Sequence, residues 1–176
     1  LDTAHSALAA EKARADNMLS TILPEQIARE LMENDKVAPR FFNDATILFA
    51  DVVGFTAFAE KAEPAMLIGM LNSYFAAFDE VMAQFDLEKI KTIGDAYMAV
   101  AGVPASDRLH TLKACLAALA LQKAADRLKA ERQKLRLPYF EFRIGLHSGP
   151  VIAGLIGRKR FTYDIWGARP TKNSGR

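Results

Sequence analysis

The order strand, helix, strand, strand, helix, strand predicts an α+β fold with a ferredoxin-like split βαβ core, an antiparallel sheet covered by helices on one face and leaving its other side and its loops for a partner or ligand. Three stretches carry that reading. Ala45–Ala50 is an apolar run compatible with a buried strand and ends at an acid, Asp51. Pro64–Phe85 sets Leu67, Leu71, Tyr74, Phe78, Val81 and Phe85 at alternating spacings of four and three, the stripe of a helix facing a core. Glu88–Val100 reads as two strands hinged at Gly94-Asp95, a hairpin with its own acid at the tip.

Length and composition agree with one domain carrying a helical extension, since 176 residues with 51% hydrophobic content can fill one core. The 23 basic and 21 acidic side chains are too balanced to argue for nucleic acid or an anionic membrane as partner. Arg158-Lys159-Arg160 is the one dense basic group. The single cysteine, Cys115, excludes an internal disulfide and is expected to be a buried structural thiol in a reducing compartment. No apolar run reaches the roughly 18 residues of a membrane span, and the N-terminus lacks a signal-peptide profile. Because the sequence starts at Leu1, a longer parent chain is expected. The protein is then placed in the cytoplasm, either free or as the cytosolic part of a membrane-tethered molecule.

Leu1–Leu23 lacks glycine and proline and is expected to be helical. Leu1, Leu8, Ala15 and Ile22 recur every seven residues, while the companion row Ala4, Glu11, Met18 is interrupted by an acid. The helix therefore reads either as a coiled-coil segment or as one packed on its own domain. Leu23-Pro24 should break it and start a second helix with Ile27, Ala28 and Leu31 on its apolar face. A polar connector, Asn34–Arg40, leads into the strand ending at Asp51. Asp107–Arg136 is expected to be helical and apolar at Leu109, Leu112, Leu116 and Leu119, with a solvated second half. Phe140–Leu146 alternates as a half-buried strand, and Pro150–Gly154 and Phe161–Trp166 are two further short strands.

Taken alone, Asp51 reads either as a cap or loop acid or as a metal ligand. A second acid at the equivalent place, Asp95, favours metal, because hard cations take oxygen ligands and bring substrate phosphates with them. Gly54-Phe55-Thr56 follows Asp51 at a turn entering a helix, where main-chain N–H groups favour phosphate oxygens. Neither a GxxxxGK loop nor a dinucleotide fingerprint is present.

Four blocks, FADVVGFT (49–56), KIKTIGDAY (89–97), FRIGLHSGPVIAGLIG (142–157) and TYDIWG (162–167), resemble the catalytic domain of the class III nucleotidyl cyclases, in that family's order. Leu19–Glu33, with its Leu-Pro break, resembles the helical transducer that joins such domains to an upstream sensor. The resemblance implies three parts: a helical transducer or coiled-coil segment over 1–40, a catalytic domain over 41–167 and an atypical, shortened tail over 168–176. It also implies a head-to-tail homodimer with active sites at the interface. Asp51 and Asp95 would hold two Mg²⁺ or Mn²⁺ ions, with a main-chain oxygen from Val52. Arg143 matches an arginine that contacts the triphosphate, although strand alternation alone would equally leave it an exposed residue.

Lys91 and Asp164 match the pair that reads adenine, so the resemblance implies ATP as substrate and an adenylyl cyclase forming 3′,5′-cyclic AMP and pyrophosphate. Guanylyl cyclases carry Glu and Cys at these places. After Gly167 the family pattern would put asparagine at Thr171 and arginine at Gly175, whereas the sequence reads ARPTKNSGR, with Asn173 and Arg176 out of register behind Pro170. That departure keeps a second expectation open, a catalytically impaired nucleotide-binding or regulatory dimerisation module.

Overall fold

In the computed structural model, the described residues are 22–157 and 161–167, together with 11, 13, 14, 18 and 19. Most of the predicted Leu1–Leu23 helix and its heptad row, the basic group Arg158-Lys159-Arg160 and the tail beyond Gly167 lie outside them. In chain order the elements are α1 (Glu25–Asn34), β1 (Arg40–Val52), α2 (Phe55–Ala59), α3 (Pro64–Phe85), β2 (Glu88–Ile93), β3 (Ala96–Ala101), α4 (His110–Lys134), β4 (Phe142–Ile156) and β5 (Thr162–Gly167). The five strands form one antiparallel sheet in the order β2-β3-β1-β4-β5, as the split βαβ reading requires.

Local chemistry sets the helix ends. Pro24 precedes α1, and Pro64 opens α3, whose N-cap Glu63 accepts from the main-chain N–H groups of Ala65 and Met66 at 3.1 and 2.8 Å. Alternation along β1 and β3 then feeds two cores. Leu48, Ala50, Val52, Tyr97, Ala99 and Ala101 face α3 and α4, whereas Ala45, Met98 and Val100 face α1. The first core is aromatic: Phe78 lies 4.9 Å from Phe142 and 5.6 Å from Tyr97 between ring centroids, in edge-to-face geometry. Thr46, the one buried polar residue among those described, anchors α4 to the sheet through His110 Nδ1 and Ser148 Oγ, both at 2.7 Å.

Four expectations change. First, Phe140–Leu146 and Pro150–Gly154 are not separate strands but parts of one strand, β4. Its proline lies opposite a bulge where Phe42 pairs Val151 and Ala45 pairs Gly149, so the N–H that Pro150 lacks falls where the ladder is already broken. Second, helices cover both faces of the sheet. α1 and the residues before it bury Leu23, Ile27 and Ala28 on the side opposite α3 and α4, so only part of that face stays open.

Third, α4 does not bury its leucine row. Leu109, Leu112, Leu116 and Leu119 are exposed, and Ala114, Ala117, Leu121 and Ala125 are buried instead. Small side chains let the helix approach the sheet closely, a demand that side-chain hydrophobicity alone does not reveal. Fourth, Cys115 is exposed for the same reason, being next to the buried Ala114 and on the wrong side of the helix. Among the described residues, no helix is long and apolar enough to cross a membrane.

The revised packing makes opposite demands on two apolar residues. Phe78→Ala should cost about 3–5 kcal/mol by opening the aromatic core. Leu116→Ala should stay within about 0.5 kcal/mol of the parent. Urea unfolding midpoints of the two variants measure both.

Candidate active site

β1 is the middle strand of the sheet, and its last turn of the pleat presents Asp51 on the open part of the face that α1 covers elsewhere. Register fixes its neighbours: Asp51 pairs Ala96 on one side and Arg143 on the other. Asp95 precedes Ala96 in the two-residue turn between β2 and β3, where Gly94 adopts a φ of +62°. The two predicted metal acids therefore converge although they are 44 positions apart in the chain.

Electrostatics register that convergence. Burial raises the Asp95 carboxyl above its ordinary value, and the charge of Asp51 and a hydrogen bond with it add to the rise, against an opposing main-chain hydrogen bond and Arg143. Arg143 donates to Asp51 Oδ2 from Nε at 2.8 Å and from Nη2 at 2.5 Å. The arginine expected at a triphosphate thus rests on a metal acid.

Among the described residues, no group of three or more His, Cys, Asp or Glu side chains could enclose a metal ion. Two adjoining carboxylates with the nearby Val52 main-chain oxygen nonetheless fit a hard divalent cation that completes its shell with water and substrate phosphate oxygens. The donor chemistry suits Mg²⁺ or Mn²⁺ and lacks the soft ligands that would favour zinc or copper.

Gly54 caps α2 with a φ of +71°, a left-handed conformation that glycine adopts without strain. Its carbonyl accepts from Phe58 N–H at 3.3 Å, so the amides of Phe55 and Thr56 belong to the first turn, which has no acceptor within the helix. The Phe55 ring turns inward towards Phe140, 6.2 Å away between centroids. In this segment the main chain, and not the phenyl group, is left to meet a ligand.

Lys91 and Asp164 stand on β2 and β5, the two outermost strands of the sheet, yet Lys91 Nζ donates to Asp164 Oδ2 at 2.5 Å. A flat sheet would hold them three strands apart. Twist and curl bring the edges together, and the pair spans the gap. Asp164 is further fixed because its Oδ1 accepts from the N–H of Ile165 at 2.9 Å. Among the described residues, no hydrogen bond or ion pair joins this cluster to Asp51, Asp95 and Arg143. The described residues thus form two separate clusters of charged side chains.

Sequence reasoning passed over two residues that hold β2 in place. Asp79 on α3 accepts from Tyr97 Oη at 2.6 Å and pairs with Lys89 at 2.7 Å, and Lys89 also lies over the Tyr97 ring. Burial first, then the hydrogen bond with Asp79, pushes the Tyr97 hydroxyl upward. No spacing rule links positions 79, 89 and 97. Asp79 is one of two acids on the helix, beside Glu80, and nothing in the sequence singles it out. Thr171, Gly175, Asn173 and Arg176 lie outside the described residues.

Comparison with known proteins gives this arrangement a family. Residues 37–175 match the family described as Adenylate and Guanylate cyclase catalytic domain. Over 165 residues, 93% of the chain, the sequence is 41% identical to an adenylate cyclase of Mycobacterium tuberculosis, covering 36% of that protein. It is 39% identical over 160 residues, 91% of the chain, to the guanylate cyclase soluble subunit beta-2 of Rattus norvegicus, covering 23% of it. The crystal structure of the adenylyl cyclase CyaB from P. aeruginosa shares the fold, with a TM-score of 0.69 and 24% identity over 74% of this chain and 68% of that one. The chain spans about a third or less of the length of these curated relatives. Since the family match covers most of the sequence and both relatives align with more than nine-tenths of it, the chain belongs to the adenylate and guanylate cyclase catalytic domain family.

Proposed function

We propose that this member of the family is the catalytic domain of an adenylyl cyclase, converting ATP to 3′,5′-cyclic AMP and pyrophosphate, with 41–167 as the catalytic portion and 1–40 as its transducer. The Lys91–Asp164 contact carries the choice of base. Adenine offers a ring-nitrogen acceptor beside an exocyclic amine, which suits one donor and one acceptor held side by side; guanine offers a carbonyl oxygen and a protonated ring nitrogen at those edges. Relatives named as adenylate and as guanylate cyclases both match the chain, so its own residues decide the base.

In the reaction, the ribose 3′-hydroxyl loses its proton to water, its oxygen forms a bond to the α-phosphorus, the bond from that phosphorus to the bridging oxygen breaks, and pyrophosphate leaves with the electron pair. Asp51, Asp95 and the Val52 main-chain oxygen would hold Mg²⁺ or Mn²⁺. Bound there, the two ions would make the 3′-hydroxyl more acidic and offset charge on the departing pyrophosphate. Arg143, released from Asp51, is placed to bind phosphate oxygens, and the first-turn amides of Phe55 and Thr56 are placed to do the same.

The two half-sites in one chain support a homodimer in which the metal half of one protomer faces the base half of its partner. A two-fold interface would build two equivalent sites. A probable sensor upstream in the parent chain would act through the transducer. The sequence ARPTKNSGR supports a second reading, a module that binds nucleotide and dimerises with impaired turnover, because donors acting only at the transition state affect rate far more than binding.

Incubation with Mn²⁺ and ATP separates the two readings. Cyclic AMP formation that Asp51→Ala lowers by at least a hundredfold supports the enzyme; ATP binding with no product supports the module. Lys91→Glu combined with Asp164→Cys should move the kcat/KM preference from ATP towards GTP, and an unchanged preference would remove the pair from base recognition. Activity per chain should also fall on dilution, in step with dissociation measured by sedimentation; constant specific activity in the monomer would rule out the shared site.

A further inference from the structure

The leucines that α4 leaves outside form a pattern of their own. Leu109, Leu112, Leu116 and Leu119 are 56%, 54%, 43% and 63% exposed. Steps of three, four and three residues keep them on one face of the helix. Those steps read the same from either end. A second copy of the helix laid antiparallel therefore sets Leu109 against Leu119 and Leu112 against Leu116, so that each leucine meets a leucine.

Charge selects that direction. Lys123, which is exposed, takes the next place on the row, four residues beyond Leu119. In a parallel pair it would meet the same lysine. In an antiparallel pair it comes level with the residues just before α4, where Asp86 and Asp107 share Lys113 at 2.9 and 2.6 Å. α4 covers the sheet face opposite the one that presents Asp51, so such a pair leaves Asp51 and Arg143 open.

We propose that this row is a docking face for a second copy of the chain, an isologous antiparallel pairing of α4 with α4. Four half-exposed leucines make a patch on the order of a few hundred Å², short of the about 800 Å² per partner of a standard stable interface. The pairing is therefore reversible and depends on concentration. A dilute chain keeps its row in water, so these leucines matter for association and little for folding. Cys115 reports on the contact, because it is exposed and adjoins Leu112 and Leu119, three and four residues away. Under the two-fold, both copies of Cys115 stand on the same side of the seam, about 3 Å apart along the helix axes. With the axes about 8–10 Å apart, a short bismaleimide spans the gap.

The whole chain, without nucleotide, is treated with that bismaleimide over a range of protein concentrations, alongside a one-ended maleimide that measures the reactivity of the thiol. The sequence has one cysteine, so every covalent dimer is a Cys115 pair. Its yield is expected to grow with concentration. Leu112→Glu combined with Leu119→Glu should lower that yield about tenfold relative to the one-ended reaction, in a chain whose circular dichroism shows it folded. Lys123→Glu should lower it severalfold. No covalent dimer from the parent chain, or an unchanged yield in the double variant, would overturn the proposal. One-ended labelling blocked to the same degree at every concentration would place a segment of the same chain on the row and would overturn it too.

Discussion

A five-stranded sheet can place its two outermost strands within a hydrogen bond of each other only if it curls strongly, and the Lys91–Asp164 contact shows that this one does. The curl has a visible filling. Leu23, Ile27 and Ala28 enter the concave side and meet Met98, Val100, Val151, Ala153, Tyr163 and Ile165 from three strands, while the aromatic cluster under α3 and α4 supports the convex side. In a flattened sheet the Lys91–Asp164 pair would separate, and the entry of α1 would lose its seat.

Each cluster contains an ion pair, Arg143 with Asp51 and Lys91 with Asp164. The second pair is partly shielded from water, so leaving one of its members alone would be more costly than on an open surface, whereas Arg143 stays largely exposed. Under the adenylyl cyclase reading proposed above, substrate would replace these contacts: phosphate oxygens for the arginine, cations for the acids, a purine edge for the lysine and aspartate. The positions of the charges are thus set before any ligand arrives, and binding exchanges partners in place of ordering loose side chains.

The helix over Pro64–Phe85 and the hairpin at Gly94-Asp95 were legible because each is governed by local periodicity or turn chemistry. Asp51 and Asp95 were legible for the same reason, as acids at strand ends. The leucine row of α4 misled because burial there is decided by how closely a helix must approach, and alanine wins when the distance is short. The continuity of β4 was hidden by Pro150, which reads as a breaker until its partner strand is seen to bulge opposite it. The roles of Asp79 and Tyr97 depend on neighbours far along the chain, and no spacing discloses them.

That bulge also determines what kind of change the chain can tolerate. Phe42 and Ala45 are an odd number of residues apart, so in a regular strand they would point to opposite faces, yet both join the α1 core. Asn43 and Asp44 together stand opposite the single Pro150, and this one extra residue absorbs the difference while β4 keeps one phase from Arg143 to Ala153. A residue inserted or deleted between the bulge and Asp51 would reverse every side chain beyond it. Asp51 would then turn towards the aromatic core and Arg143 would face nothing. Point substitutions along this ribbon are local events, whereas a change of length is a change of face, and Asp51 is the residue at the far end that registers it.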